Sequence, residues 1–392
     1  MNEVFFTGTA RTAIGSFGGS LKDIPLVDLA ATAVRGALDH ARVEAGAIGH
    51  VVMGNVVPTE PCDAYLSRVA AINAGLPQEV PAFNVNRLCG SGLQAILSAA
   101  HGIQLGDYGL AIAGGAESMS RGPYMLPAMR WGARLGDCQA IDYMNGILHD
   151  PWKRFHMGVT AENVAARFNI SREMQDELAV VSQQRAARAI AEGRFRDQIV
   201  PVVLHARKGS SVFDTDEGVR PQVDRQRLAA MPSAFQEGGS VTAGNASSLN
   251  DGAAAVVIAS ADSVRLHGLQ PLARLVAYGH AGVDPAYMGM GPVPATQLAL
   301  KRAGLTIHDI DVIESNEAFA AQACAVIQQL ELDPLKVNPN GSGISLGHPV
   351  GATGAIITIK AIHELQRTGG RYGLVTLCIG GGQGIAMVIE RA

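Results

Sequence analysis

The sequence has little that would attract a polyanion or hold a membrane. Lys plus Arg number 31 against 35 Asp plus Glu over 392 residues, a net charge of −4. No global basic field is available to gather nucleic acid. No apolar run reaches the about 18 residues of a spanning helix, and the stretch Gly373 to Ile389 is broken by Thr376, Gln383 and repeated glycine. The cysteines Cys62, Cys89, Cys138, Cys324 and Cys378 are odd in number, widely spaced and without a Cys-x-x-Cys pair. Neither a disulfide framework nor a zinc site is indicated, so a working cysteine is expected to be a reduced thiol. His-x-x-x-His and His-Glu-x-x-His are also missing, which leaves metal catalysis without a ligand set. The segment Met1 to Gly8 has no basic n-region, and Ile389-Glu390-Arg391-Ala392 is no peroxisomal address. The expected location is the cytoplasm.

Glycine, by contrast, is plentiful, with 46 residues against an average usage of about 7%. Many tight backbone turns are implied. The length suits two or three domains or a duplication, and internal similarity favours the duplication. Ala37-Leu38-Asp39-His40 to Asn55 resembles Ala299-Leu300-Lys301-Arg302 to Asn316, each a helix end, a connection and a buried strand stopping at Asn. Asn86 to Gly92 matches Asn338 to Gly343, and each leads into a small-residue apolar helix. Ala111 to Ala116 and Leu377 to Gly382 are short apolar strands ending in glycine.

Helices alternating with β-branched strands predict a duplicated α/β domain. Residues 1–118 with 250–271 form the first half, 272–392 the second, and 119–249 an insert without a counterpart. In the insert, Ser171 can cap a helix running to Gly193. Beyond Gly193, to Phe235, the pattern is polar and irregular, with Arg207, Lys208, Arg220, Arg225 and Arg227, and predicts a long surface loop.

Cys89 falls between a strand, Phe83 to Asn86, and the helix from Gly92 to His101. A thiol at a helix N-terminus meets free N–H groups and the positive end of the dipole, which favour the nucleophilic thiolate; the bland alternative is a buried apolar cysteine. Gly90-Ser91-Gly92-Leu93-Gln94-Ala95 also fits a dinucleotide fingerprint, but the next strand offers Gly114 and Gly115 where an acidic residue is required. His348 lies in Gly347-His348-Pro349-Val350-Gly351, where Pro349 suits the first position of the following helix and the glycines leave room for a ligand. Cys378 precedes Gly380-Gly381-Gly382-Gln383-Gly384, whose amides can approach an oxyanion, although a cysteine on an apolar strand is often plain core. Asn316 could orient a water or donate to developing charge, or merely cap a turn.

Together, Asn86-Arg87-Leu88-Cys89-Gly90-Ser91-Gly92, Asn316-Glu317-Ala318-Phe319, Gly347-His348-Pro349 and Cys378-Ile379-Gly380-Gly381-Gly382-Gln383-Gly384 resemble the thiolase family. His156 to Glu162 and Thr242 to Ser247 look like its biosynthetic, acetyl-CoA acetyltransferase type. Asn55 to Arg68 looks most like the broad-specificity β-ketothiolases of polyhydroxyalkanoate synthesis. The resemblance implies two similar mixed five-stranded sheets with covering helices, layered αβαβα, and an inserted loop domain. It implies a reversible Claisen condensation of acetyl-CoA with an acyl-CoA to a 3-ketoacyl-CoA and CoA. Cys89 would carry the acyl group and His348 would accept its proton. Cys378 would move the α-proton, Asn316 would hold a water, and the amides of Cys89 and Gly380 would hold the oxyanion. The contacts implied for substrate or CoA are Leu148, His156, Met157, Arg220, Phe235, Ala243, Ser247, Met288, Ala318 and Phe319. His156 and Ser247 would lie near the pantetheine and Arg220 near the adenine or phosphate. Arg227 stands where a small serine is expected in biosynthetic relatives. CoA is substrate and product, no tightly bound cofactor is implied, and the assembly expected is a homotetramer with Ser120 to Tyr143 as its contact excursion. A ketosynthase-like condensing enzyme would use two histidines, or His and Asn, where this chain has Cys378. A catalytically silent acyl-CoA or lipid carrier need not keep both cysteines and His348.

Overall fold

The computed structural model describes residues 2–206 and 209–392, so Arg207 and Lys208 lie outside the described residues. The first half runs β1 (Val4–Arg11), α1 (Leu26–Ala41), β2 (His50–Gly54), α2 (Leu66–Asn73), β3 (Ala82–Val85), α3 (Ser91–Leu105) and β4 (Leu110–Ser118). An insert containing α4 (Met157–Phe168) and α5 (Arg172–Ala191) follows, and the chain returns as β5 (Asn250–Ser260). The second half comprises β6 (Ala273–Gly282), α6 (Pro292–Ala303), β7 (Val312–Ser315), α7 (Ala320–Gln329), α8 (Thr353–Thr368), β8 (Tyr372–Ile379) and β9 (Gln383–Arg391).

The burial pattern explains the elements. Every residue of β4 and β5 is buried, which is why these strands read as continuous apolar runs covered on both faces. Helix α1 instead buries a stripe, with Leu26, Leu29, Ala30, Ala33, Val34 and Ala37 at helical spacing.

The duplication is visible in the strand order. The first half runs β3-β2-β4-β5-β1 and the second β7-β8-β9-β6. In both, the strand that ends at Asn pairs in parallel with its inner neighbour, β2 with β4 and β7 with β8, and the pairs further in are antiparallel; β2 also pairs in parallel with β3 on its outer side. The counterpart of β3 is a single parallel bridge between Ile313 and Val337, because the chain bends away at Asn338, a non-glycine residue at φ 45°. The sheets join edge to edge where Phe5 and Phe6 pair with Arg274 and Ala273, giving one ten-stranded hydrogen-bonded array that includes the short strand Gly15–Ser16 on β5.

Three apolar clusters define the layers. One packs α1 on the first sheet, one packs α6 and α7 on the second, and the largest places α3 and α8 between the sheets. Helices α3 and α8 meet backbone to backbone near their N-termini. A Cβ on Gly92 would sit 2.8 Å from the Ala355 nitrogen and one on Gly354 2.3 Å from the Leu93 nitrogen. Only glycine permits this approach. The crossing brings together the loops that precede the two helices, one holding Cys89 and the other His348.

Two local expectations are corrected. Pro349 is not the first residue of α8; its carbonyl accepts the amides of Ala352 and Thr353 in a turn, and the helix starts at Thr353 because Gly351 and Ala352 are spent on that turn. The polar stretch after Gly193 is not wholly irregular. It contains a hairpin, Val202–Ala206 with Gly209–Phe213, and a short helix, Arg225–Ala229, capped by Asp224, whose local hydrogen bonds need no apolar periodicity. Ser171 does cap α5, accepting from the Met174 amide at 3.3 Å, and Gly193 follows at φ 69°. No helix of the described residues is long and apolar enough to cross a membrane.

Candidate active site

Cys89 sits at the mouth of α3 in a tightly bonded turn. The Asn86 side chain accepts the Leu88 amide at 2.9 Å, and Ser91 Oγ both accepts from Arg87 N and donates to the Leu88 carbonyl. Leu88 is held at φ 47°, an uncommon conformation for a branched side chain and a sign of a positioned loop. Burial pushes the Cys89 thiol up to about 11, opposed by the Gly380 amide and its own. Desolvation outweighs the helix terminus, so Cys89 rests as a thiol and needs a base.

His348 is buried, and desolvation takes its imidazole down to about 4. It is therefore neutral and able to accept a proton. The hydrogen bonds assign the tautomer. The Thr353 hydroxyl donates to the Pro349 carbonyl at 2.9 Å, leaving its lone pair for Nδ1–H of His348 at 2.7 Å. Nε2 is then the basic nitrogen, and Asn316 Nδ2–H donates toward it at 3.4 Å. The His348 amide donates to Asn250 Oδ1 at 2.8 Å.

Cys378 ends β8 fully buried, and its thiol is pushed upward first by desolvation and then by Cys89. The two cysteine segments touch: a Cβ on Gly90 would stand 2.6 Å from Ile379 Cδ1 and one on Gly380 3.4 Å from Leu88 Cδ1, and the nearness of Cys89 adds to the rise at Cys378. Gly381 and Gly382 take φ 81° and 83°, the left-handed region that turns β8 into β9. Asn316 follows β7 and is fully buried, its Oδ1 without a partner among the described residues.

The remaining candidates divide between two places. Met157, Met288, Ala318 and Phe319 pack in one apolar cluster with Cys378, and Phe235 lies against it. Phe235 stacks on His156 with ring centres 4.6 Å apart, and His156 caps α4 by accepting the Gly158 amide. Leu148 packs with Leu88 and Cys89 against Val56, Val57 and Val350. Arg220 and Ala243 line a separate cleft of 280 Å³ between α5 and the segment after the hairpin. Ser247 does not line it, although Ala246 and Ser248 do; its amide is tied to the Ala318 carbonyl at 2.9 Å. Arg227 borders an adjoining cavity of 370 Å³ together with Arg220. Among the described residues, no three His, Cys, Asp or Glu side chains are grouped as metal ligands.

The chain matches the family models for the thiolase N-terminal domain over residues 4–262 and the thiolase C-terminal domain over residues 269–391. This chain belongs to the thiolase family. It is 63% identical to the beta-ketothiolase BktB of Cupriavidus necator over 99% of both chains. The crystal structure of the Bacillus anthracis acetyl-CoA acetyltransferase superimposes with a TM-score of 0.98 at 45% identity, covering 100% of this chain and 99% of that one. Human mitochondrial 3-ketoacyl-CoA thiolase in complex with CoA gives 0.97 at 43% identity, covering 100% and 98%.

Three residues of this thiolase that order its site escaped the sequence reading: Thr353, Asn250 and Glu117. Strand β4 runs on past Gly114 and Gly115 to Ser118, so an acidic residue does stand near its end. Glu117 is no ribose ligand, however. Its buried carboxylate is engaged by Asn55, Val56, Val57 and Gly351. A single glutamate on an apolar strand, Ala113-Gly114-Gly115-Ala116-Glu117, was the available signal, since an unpaired charge there would be prohibitively costly.

Proposed function

We propose that this thiolase interconverts a 3-ketoacyl-CoA plus CoA with acetyl-CoA plus an acyl-CoA, through an acyl group carried on Cys89. The single observation that carries this reading is the contact between the two cysteine-bearing segments of opposite halves, where a Cβ on Gly90 would stand 2.6 Å from Ile379 Cδ1 and one on Gly380 3.4 Å from Leu88 Cδ1. In thiolysis, His348 Nε2 takes the Cys89 proton and the thiolate adds to the ketone carbonyl. The C2–C3 bond then breaks, and Cys378 gives its proton to the acetyl-CoA carbanion. CoA next loses its thiol proton to the Cys378 thiolate and attacks the acyl-enzyme. Cys89 leaves and recovers its proton from His348. Condensation is the same sequence reversed. Desolvation that pushes both thiols upward supports this order of events, because thiolysis starts from two thiols. In this reading the Gly380 N–H donates to the oxyanion formed at Cys89, a role supported by the contact between the Gly380 and Leu88 segments.

The methionines at 157 and 288 offer flexible walls that suit acyl groups longer than acetyl, and the basic rim at Arg220 suits the phosphates of CoA. A homotetramer belongs to the same reading, supported by a two-stranded excursion that exposes Tyr124, Leu126 and, at 85%, Trp131, an apolar surface a neighbouring copy would cover. Cytoplasmic location and a place in polyhydroxyalkanoate synthesis belong to it as well. The test is acylation. Incubation with acetyl-CoA is expected to leave an acetyl adduct on the Cys89 peptide, and Cys89→Ala to abolish the adduct and lower thiolysis by about three to four orders of magnitude. A Cys89→Ala enzyme of full activity removes the assignment.

A further inference from the structure

Glu117 is fully buried at the end of β4, and its four hydrogen bonds all come from N–H donors. Asn55 Nδ2 and the Val57 amide donate to Oε1, each at 2.9 Å; the Val56 amide at 3.1 Å and the Gly351 amide at 2.8 Å donate to Oε2. This pattern selects an anion. A carboxylate offers acceptors in every direction, whereas an amide in its place would turn its NH₂ against two N–H groups. Desolvation pushes the carboxyl up to about 8 against the pull of those amides, yet all four bonds come from N–H donors and, among the described residues, no acceptor takes a proton from it, so the geometry fits the ionised form against the desolvation.

The donors come from both halves of the molecule. Val56 and Val57 wall the pocket in which Cys89 and Leu148 pack, and Val350, the neighbour of Gly351, belongs to the same cluster. Gly351 lies on the turn that carries His348. That turn is gripped twice by the first half, at the His348 amide by Asn250 of β5 and at the Gly351 amide by Glu117 of β4. The fit is close. A Cβ on Gly351 would stand 2.5 Å from Glu117 Oε2 and 3.1 Å from Asn55 Cα.

We infer that Glu117 is a positioning residue for catalysis, a buried anion that sets the His348 turn in register with the wall around Cys89. The inference rests on the proposed role of Cys89 and His348. It makes the glutamate matter to proton transfer without touching substrate. Its effect should fall on kcat and spare KM, because the CoA cleft at Arg220 lies elsewhere.

The experiment compares Glu117→Gln, Gly351→Ala and the double variant in steady-state thiolysis and in acetylation of Cys89, with thermal melting as the check on folding. Glu117→Gln is isosteric and removes the charge; Gly351→Ala keeps the charge and displaces the carboxylate from the other side. Each is expected to lower kcat and the acylation rate by roughly 30-fold, the scale of a small misplacement of reacting groups, with KM for CoA within about 2-fold. The double variant should lose little more than either single one, since both break one clamp. A folded Glu117→Gln enzyme with kcat near wild type overturns the proposal, as do losses that multiply in the double variant or that fall on KM. If Glu117→Gln does not fold, Gly351→Ala decides alone by the same kcat and KM criterion. Wild-type enzyme that forms no Cys89 adduct would instead defeat the underlying mechanism, a result the variants cannot mimic.

Discussion

The two halves share a strand order, a strand-end asparagine and a glycine-rich turn into a central helix, yet they use these parts differently. In the first half, Asn55 donates to Glu117, and the turn from Asn86 enters α3 directly, with Cys89 at its mouth. In the second, Asn316 donates toward His348. There the turn from Asn338 first makes a short helix, Gly343–Leu346, and then an excursion through Gly347 to Ala352 before α8 begins. His348 lies on that added excursion. The duplication provides a scaffold of matched sheets and crossing helices, and the chemistry sits where the copies diverge. The same asparagine ties a buried carboxylate in one copy and neighbours His348 in the other.

Removing the second thiol tests the divergence most severely. Cys378→Ser is expected to leave acetylation of Cys89 measurable while condensation falls by about two to four orders of magnitude, because the α-proton step loses its base. Equal loss of both half-reactions would show that the halves do not divide the work. The asparagines give a direct comparison. Asn316→Ala should lower kcat by roughly 10- to 100-fold, the scale of one lost polar contact in a reaction site, with little change in melting because its Oδ1 has no partner to lose. Asn55→Ala should instead cost about 1–3 kcal/mol of stability, as it deprives a buried carboxylate of a donor. If urea titration and turnover show the reverse assignment, the comparison fails.

The smallest effect concerns pH. His348 falls from its ordinary 6.5 to about 4 in the fold, so the acid limb of kcat/KM should lie well below the usual histidine range, with activity flat from about pH 6 to 7. An acid limb centred near 6.5 would contradict a desolvated base. His156, His280 and His363 are likewise lowered to about 4, each first by burial. Below about pH 6.5 the unfolded chain binds protons that these four imidazoles exclude in the fold, so their contribution to stability should decline as pH falls toward 4, while Glu314, raised by burial to about 7, contributes with the opposite sign. Melting temperature against pH checks the sign.

Much of this was legible in the chain itself. Strand β2 carries an apolar run that stops just before Asn55, and β8 one that stops before Gly380; burial on both faces leaves that signature. Cys89, His348, Cys378 and Asn316 stood out through their glycine-rich settings, because space around a reactive group must be written into the backbone. The hairpin and short helix after Gly193 were not legible, since their order depends on side-chain caps such as Asp224 rather than on periodicity. Glu117 was missed for a related reason: its four donors lie at positions 55, 56, 57 and 351, and no local pattern links them.

Local sequence therefore determined which groups were available: two thiols, an imidazole and an asparagine, each beside flexible backbone, within a doubled α/β frame. Only the tertiary structure decided their protonation and their company. A proton affinity depends on how much water is removed and which dipoles replace it, and at Cys89 desolvation works against the helix terminus. The approach of the turn holding Cys89 to the turn holding His348 depends on α3 and α8 touching at Gly92 and Gly354, residues far apart in the chain whose missing side chains matter only when the backbones meet.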